Sequence, residues 1–278
     1  MVALQNSIHI YAFSSPPKQI SVFETADNPF GLCCLGTKII TFPGRSQGQV
    51  QLVEMATGNV SIIPAHSSPL RALQLSPDGE VLATASETGT LIRTFSTANC
   101  AATGELRRGV DHADIYDIAI SPDSTLLAVT SDKSTLHIFD LPGSSSASYK
   151  SSFGSKSSHR SSHNSGYSSN DETTSNKWGI LGKIPLMPRV FSDIYSFTSA
   201  HFEIEDAPPI AFGTPANTPI PGIPGGKPRK GITGWRDDNT ILVIGAGRDG
   251  RWEKFILGEG EDGKRLLVRN GWKRYLGS

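Results

Sequence analysis

The chain has 278 residues, 26 basic and 26 acidic side chains, and 37% hydrophobic content. That is enough apolar mass for a packed core, so wholly disordered chains are excluded. The charge balance excludes a general nucleic-acid coat, which needs a basic excess, so any anion binding must be local.

In chain order, Val2-Ala3-Leu4, Ile8 to Phe13 and Gln19 to Glu24 read as the later strands of a unit whose first strand is absent. Gly31 to Leu35, Lys38 to Phe42 and Gln49 to Val53 give three strands, followed by Val60 to Ile63. Then comes an internal repeat. Ser76-Pro77-Asp78-Gly79-Glu80-Val81-Leu82-Ala83-Thr84-Ala85-Ser86 returns 45 residues later as Ser121-Pro122-Asp123-Ser124-Thr125-Leu126-Leu127-Ala128-Val129-Thr130-Ser131. Each copy is followed by a polar turn and a further strand, Thr90 to Phe95 or Thr135 to Phe139. Units of about 40–45 residues holding several short strands mark propeller blades.

Residues 143–176 are serine-rich, cannot bury a core and are expected to be disordered. Residues 177–191 are apolar, dotted with Lys177, Lys183 and Arg189, and broken by proline. Ile194 to Ile204 resumes as a strand. Pro209 to Phe212, Ile241 to Ile244, Trp252 to Leu257 and Arg265 to Val268 give four more, with Pro215 to Lys230 a surface loop. The expected fold is an all-β partial propeller over residues 1–278, with four blades and part of a fifth; the half blade at the start points to missing sequence.

Between the two clear repeats lies Glu105-Leu106-Arg107-Arg108-Gly109-Val110-Asp111-His112. Consecutive strand residues point to opposite faces, so Arg107 and Arg108 serve different pockets. A guanidinium is a planar fork of donors suited to phosphate. Ser86, Thr90 and Arg93 flank one side, with His66 in reach; Ser131, Thr135 and His137 flank the other. On residue chemistry alone, the two arginines read more readily as solvated edge charges, or as partners of Glu105 and Asp111, than as phosphate ligands.

These motifs resemble the PROPPIN family, WD-repeat phosphoinositide-binding propellers of autophagy, and are closest to its fungal SVP1-like branch. The resemblance rests on Leu106-Arg107-Arg108-Gly109, Ala65-His66, Ala83-Thr84-Ala85-Ser86, Gly89-Thr90-Leu91-Ile92-Arg93, Asn28 to Cys33, Phe42-Pro43-Gly44 and Ser134 to Phe139. It implies seven blades, of which this chain holds about four and a half, beginning inside the third. It implies phosphatidylinositol 3-phosphate and phosphatidylinositol 3,5-bisphosphate as ligands. Arg107 would serve one site with Ser86, Thr90 and Arg93, and Arg108 the other with Ser131, Thr135 and His137; His112 is an extra contact. Residues 177–191 match a membrane-inserting loop, with Trp178, Ile180, Leu181, Ile184, Leu186, Met187 and Phe191 entering the headgroup boundary beside the cations. Phosphorylation of the serine tract would add negative charge and weaken docking.

The implied role is a cytoplasmic effector in autophagy and vacuolar-endosomal traffic, peripheral on vacuolar, endosomal or pre-autophagosomal membranes, with autophagy proteins as partners. The alternative is a WD-repeat interaction scaffold without lipid binding. No catalytic constellation, cofactor or metal spacing is read, and an enzyme is not expected. No run approaches the ~18 apolar residues of a spanning helix, and Met1 to Phe13 lacks a signal-peptide core. Cys33, Cys34 and Cys100 read as small buried residues. Gly245 to Gly250 has the glycine spacing of a dinucleotide turn, but a strand follows where that motif needs a helix, so it reads as a hairpin turn. Trp235, Trp252 and Trp272 read as packing residues.

Overall fold

The computed structural model describes residues 1–142, 194–204, 230–245 and 250–275, all of them strands and connecting turns. Among the described residues twenty strands form five sheets, antiparallel except for one short parallel pairing at the edge of the third. The first holds β1 (Val2–Ala3), β2 (Ser7–Ala12) and β3 (Lys18–Glu24). The second holds β4 (Cys34–Leu35), β5 (Ile39–Pro43), β6 (Gln49–Glu54) and β7 (Val60–Pro64). The third runs β8 (Leu70–Leu75), β9 (Val81–Ser86), β10 (Leu91–Ser96), β11 (Ala102–Arg107), and the fourth β12 (Ile115–Ile120), β13 (Leu126–Ser131), β14 (Thr135–Asp140). β15 (Ile194–Tyr195) adds to the edge of the third sheet and β16 (Thr198–His201) to the edge of the fourth. The fifth comprises β17 (Lys230–Asp237), β18 (Thr240–Gly245), β19 (Arg251–Glu259) and β20 (Arg265–Arg274). One three-stranded and four fuller sheets match the blade count expected from the repeat.

Alternation decides how the blades stack. Ala83 and Ala85 of β9, Ile92 of β10 and Leu106 of β11 meet Ile118, Val129 and Phe139 of the fourth sheet in one cluster. Three more clusters join the first sheet to the second, the second to the third, and the fourth to the fifth. Each blade therefore buries one face against each neighbour, which is why its strands read as nearly continuous apolar runs. The repeated Ser-Pro-Asp turns are built alike. The Ser76 hydroxyl donates to Asp78 (2.5 Å) and accepts from the Val81 N–H (2.9 Å); Ser121 does the same with Asp123 (2.5 Å) and Leu126 (2.9 Å).

Several expectations need revision. Ile194 to Ile204 is not one strand: it divides between two sheets at Ser196 and Phe197. The first strand of the fifth sheet is Lys230–Asp237, which its two glycines concealed; Pro209 to Phe212 and the loop 215–229 lie outside the described residues. The three cysteines are free but only half-buried, with burial pushing the Cys34 thiol to about 11. Trp235 packs in the core and donates to the Ala119 carbonyl (3.1 Å), whereas Trp272 is 52% exposed, its ring 5.4 Å from the Arg251 guanidinium. β19 does follow Gly245, as a hairpin partner of β18, and its turn residues 246–249 lie outside the described residues.

Candidate functional site

Leu106 is fully buried toward the fourth sheet, so Glu105 and Arg107 on either side of it face the second. β11 ends at Arg107; Arg108 is the first residue beyond the strand, not part of it, although its N–H still bonds the Thr90 carbonyl (3.0 Å). Its side chain turns toward the fourth sheet. Nε donates to the Gly89 carbonyl (2.7 Å) and a terminal nitrogen donates to the Asp111 carbonyl. Arg107 donates to the Gly109 carbonyl (3.5 Å).

The first crevice lies between the second and third sheets. His66 Nε2 is 3.0 Å from the Thr84 hydroxyl, and Ser86 and Ser68 both meet Thr88 Oγ1, at 3.3 and 3.1 Å. Arg93 is tied down within this crevice: Nε pairs with Glu105 (2.9 Å) and a terminal nitrogen donates to the Ala65 carbonyl (2.6 Å). Glu105 thus neutralises Arg93, a partnership the sequence reading did not find. Thr90 contributes its carbonyl to the Arg108 N–H.

The second crevice lies between the third and fourth sheets. His137 Nε2 is 3.2 Å from Thr135 Oγ1, which is 3.3 Å from the buried Ser131 hydroxyl. His137 Nδ1 is 3.1 Å from Ser196 Oγ. Strand register makes the crevices repeats of one another. Leu82 opposes Phe95 and Leu127 opposes Phe139, so Arg93 and His137, each two residues before its phenylalanine, occupy equivalent places. Ser86 and Ser131 each end the second strand of their sheet. His112 is exposed on the loop beyond Arg108.

A family model described as PROPPIN matches residues 1–159. SVP1-like protein 2 of Emericella nidulans is 61% identical over 279 residues, covering 100% of this chain and 82% of that protein. The chain belongs to the PROPPIN family. Autophagy-related protein 18e of Arabidopsis thaliana is 40% identical over 145 residues, 51% of this PROPPIN and 38% of that protein. Hsv2 of Kluyveromyces lactis, a solved structure, superposes with TM-score 0.67 at 20% identity, covering 97% of this chain and 68% of that one. That likeness carries the propeller fold, and this PROPPIN spans 66% to 69% of the solved Hsv2 chains.

Both crevice imidazoles are neutral near pH 7. Burial, reinforced by Arg93, lowers His66 to about 4; burial, reinforced by Arg108 and His201, lowers His137 to about 4. Burial also lowers Arg108, opposed by the Asp132 and Asp111 carboxylates. Unfolded, each histidine takes up a proton near 6.5 and, folded, only near 4, so the unfolded chain binds more protons between those values. Their contribution to stability should be complete above pH about 6.5 and fall as pH drops toward about 4. Urea midpoints taken across that window will show the slope, and His66→Asn with His137→Asn should flatten it; an unchanged slope would refute the assignment.

Ser68, Thr88 and Ser196 were not singled out from sequence. Ser68 and Thr88 had a signal, being hydroxyls two residues after His66 and directly before Gly89. Trp178, Ile180, Leu181, Ile184, Leu186, Met187 and Phe191, with the serine tract, lie outside the described residues. Among the described residues, no group of three His, Cys, Asp or Glu is placed to hold a metal ion.

Proposed function

We propose that this PROPPIN is a peripheral membrane effector of autophagy and vacuolar-endosomal traffic that binds 3-phosphorylated inositol headgroups in two crevices, one on each side of Leu106-Arg107-Arg108-Gly109. The observation that carries the reading is that each of two neighbouring crevices gathers an imidazole with serine and threonine hydroxyls, and that the consecutive residues Arg107 and Arg108 stand between them. A phosphomonoester needs donors. Hydroxyls can rotate to supply them, a neutral imidazole supplies one, and the Arg108 side chain is held by carbonyl oxygens. Ser86, Thr90, Arg107 and His66 belong to the first site, with Arg93 bracing its wall through Glu105. Ser131, Thr135, His137 and Arg108 belong to the second, and His112 stands at its rim.

Each headgroup contact is weak alone. Two on one membrane reinforce each other, because the second forms at high effective concentration. Residues 177–191 add a third anchor, read from sequence alone: Trp178 and Phe191 bring apolar surface, and Lys177, Lys183 and Arg189 bring attraction to anionic lipid. The decisive measurement is vesicle flotation against a lipid panel. Vesicles with phosphatidylinositol 3-phosphate or phosphatidylinositol 3,5-bisphosphate should carry the protein, and phosphatidylcholine vesicles should not. Flotation that ignores the 3-phosphate would defeat the proposal.

A further inference from the structure

Ser196 joins β15 to β16 and so straddles the line between the third and fourth sheets, where Arg108 turns in. On one side, Ile194 and Tyr195 pair in parallel with Leu106 and Arg107. On the other, Thr198 to His201 pair with Thr135 to Ile138. The position is clamped. The Phe197 N–H donates to the Ile138 carbonyl (3.0 Å), and the Arg265 guanidinium lies 3.5 Å from the Phe197 ring centroid while bonding both Asp140 oxygens (2.8 and 2.6 Å). The Leu267 N–H donates to the Thr198 hydroxyl (3.1 Å). Ser196 Oγ is thereby held 3.1 Å from His137 Nδ1, opposite the ring nitrogen that meets Thr135.

A neutral imidazole carries one N–H and one lone pair, and the partner of one nitrogen decides where the proton resides. If Nδ1 bore the proton, Nε2 would aim a lone pair at Thr135 and the space beside Arg108, which repels an anion. A hydroxyl donating to Nδ1 places the proton on Nε2, and the ring then offers a donor. We propose that Ser196 is a positioning residue of the second crevice, donating to His137 Nδ1 so that Nε2–H faces a phosphomonoester bound beside Arg108. The inference rests on the headgroup reading of that crevice. It also makes the turn between β15 and β16, at Ser196 and Phe197, part of the crevice wall. Burial keeps His137 neutral near pH 7, as this arrangement requires.

The test uses the full chain with labelled histidine and reads the His137 ring nitrogens by long-range proton–nitrogen NMR, then titrates inositol 1,3-bisphosphate with inorganic phosphate in parallel. The wild type should show the Nε2–H tautomer. Ser196→Ala should shift the population toward Nδ1–H and weaken the site reported by His137 by about five-fold, leaving the His66 site unchanged. Ser196→Thr should restore both. A wild-type Nδ1–H tautomer overturns the inference while leaving the headgroup reading standing, and so does a Ser196→Ala protein that keeps its tautomer and affinity. The wild-type tautomer needs no variant, so a folding defect cannot hide the answer. A wild type that binds the bisphosphate at neither histidine, or no better than inorganic phosphate, defeats the headgroup reading and the Ser196 role with it.

Discussion

Replacing Arg107 and Arg108 together with threonine should lower affinity for phosphatidylinositol 3-phosphate vesicles by about 100-fold or more. A hydrogen bond to a charged partner contributes about 1.5–3 kcal/mol, so losing one guanidinium from each crevice removes about 3–6 kcal/mol. On the two-crevice proposal both sites act on one surface, so the double change should also end their mutual reinforcement. Arg108→Thr alone should leave a weak, single-site interaction that salt suppresses readily. The fold should tolerate the change. Arg108 is half-buried and its partners are the Gly89 and Asp111 carbonyls, which water can satisfy once the side chain is gone. Vesicle flotation read beside thermal melting separates the effects: wild-type binding by a double variant that melts normally would end the two-crevice reading.

Gly89→Ala should cost about 3 kcal/mol or more of stability and disorganise the second crevice with it. Gly89 has φ +64°, in the left-handed region, where a Cβ adds about 1–2 kcal/mol. The larger problem is space. A Cβ there would stand 1.7 Å from the Ala113 carbonyl oxygen and 2.8 Å from its carbon, both backbone atoms that no rotamer change can move. The turn would have to leave Ala113, taking along the Gly89 carbonyl that holds Arg108 Nε at 2.7 Å. Gly48→Ala in the preceding blade should behave alike, because its Cβ would meet the His66 carbonyl oxygen at 1.9 Å. Gly79→Ala is the control, with φ +77° and nothing within 4 Å, and should lose only the conformational term. Urea midpoints ranking Gly89→Ala with Gly79→Ala would show that the close approach does not matter.

Much of the propeller was legible along the chain because its causes are local. The Ser-Pro-Asp turns carry their own hydrogen bonds between residues at most five positions apart, so each copy is specified by its own short stretch of chain. Lys230–Asp237 escaped because Gly231 and Gly234 dilute its alternation. Ile194 to Ile204 looked like one strand because both its pieces are extended; only their partners, β11 and β14, show that they belong to different sheets.

By itself the sequence determined the repeat and the strand order within each blade, and alternation along β11 set the face of Arg107; Arg108 lies past the strand end, and the Gly89 and Asp111 carbonyls set its direction. Tertiary structure alone decided the pairings: Glu105 goes to Arg93, Arg108 to two carbonyls, and Ser196 comes to His137 from 59 residues away. Hydrogen bonds and ion pairs act over about 3–4 Å, so which groups meet depends on how neighbouring blades stack, and that stacking is set by apolar faces shared between distant stretches of chain.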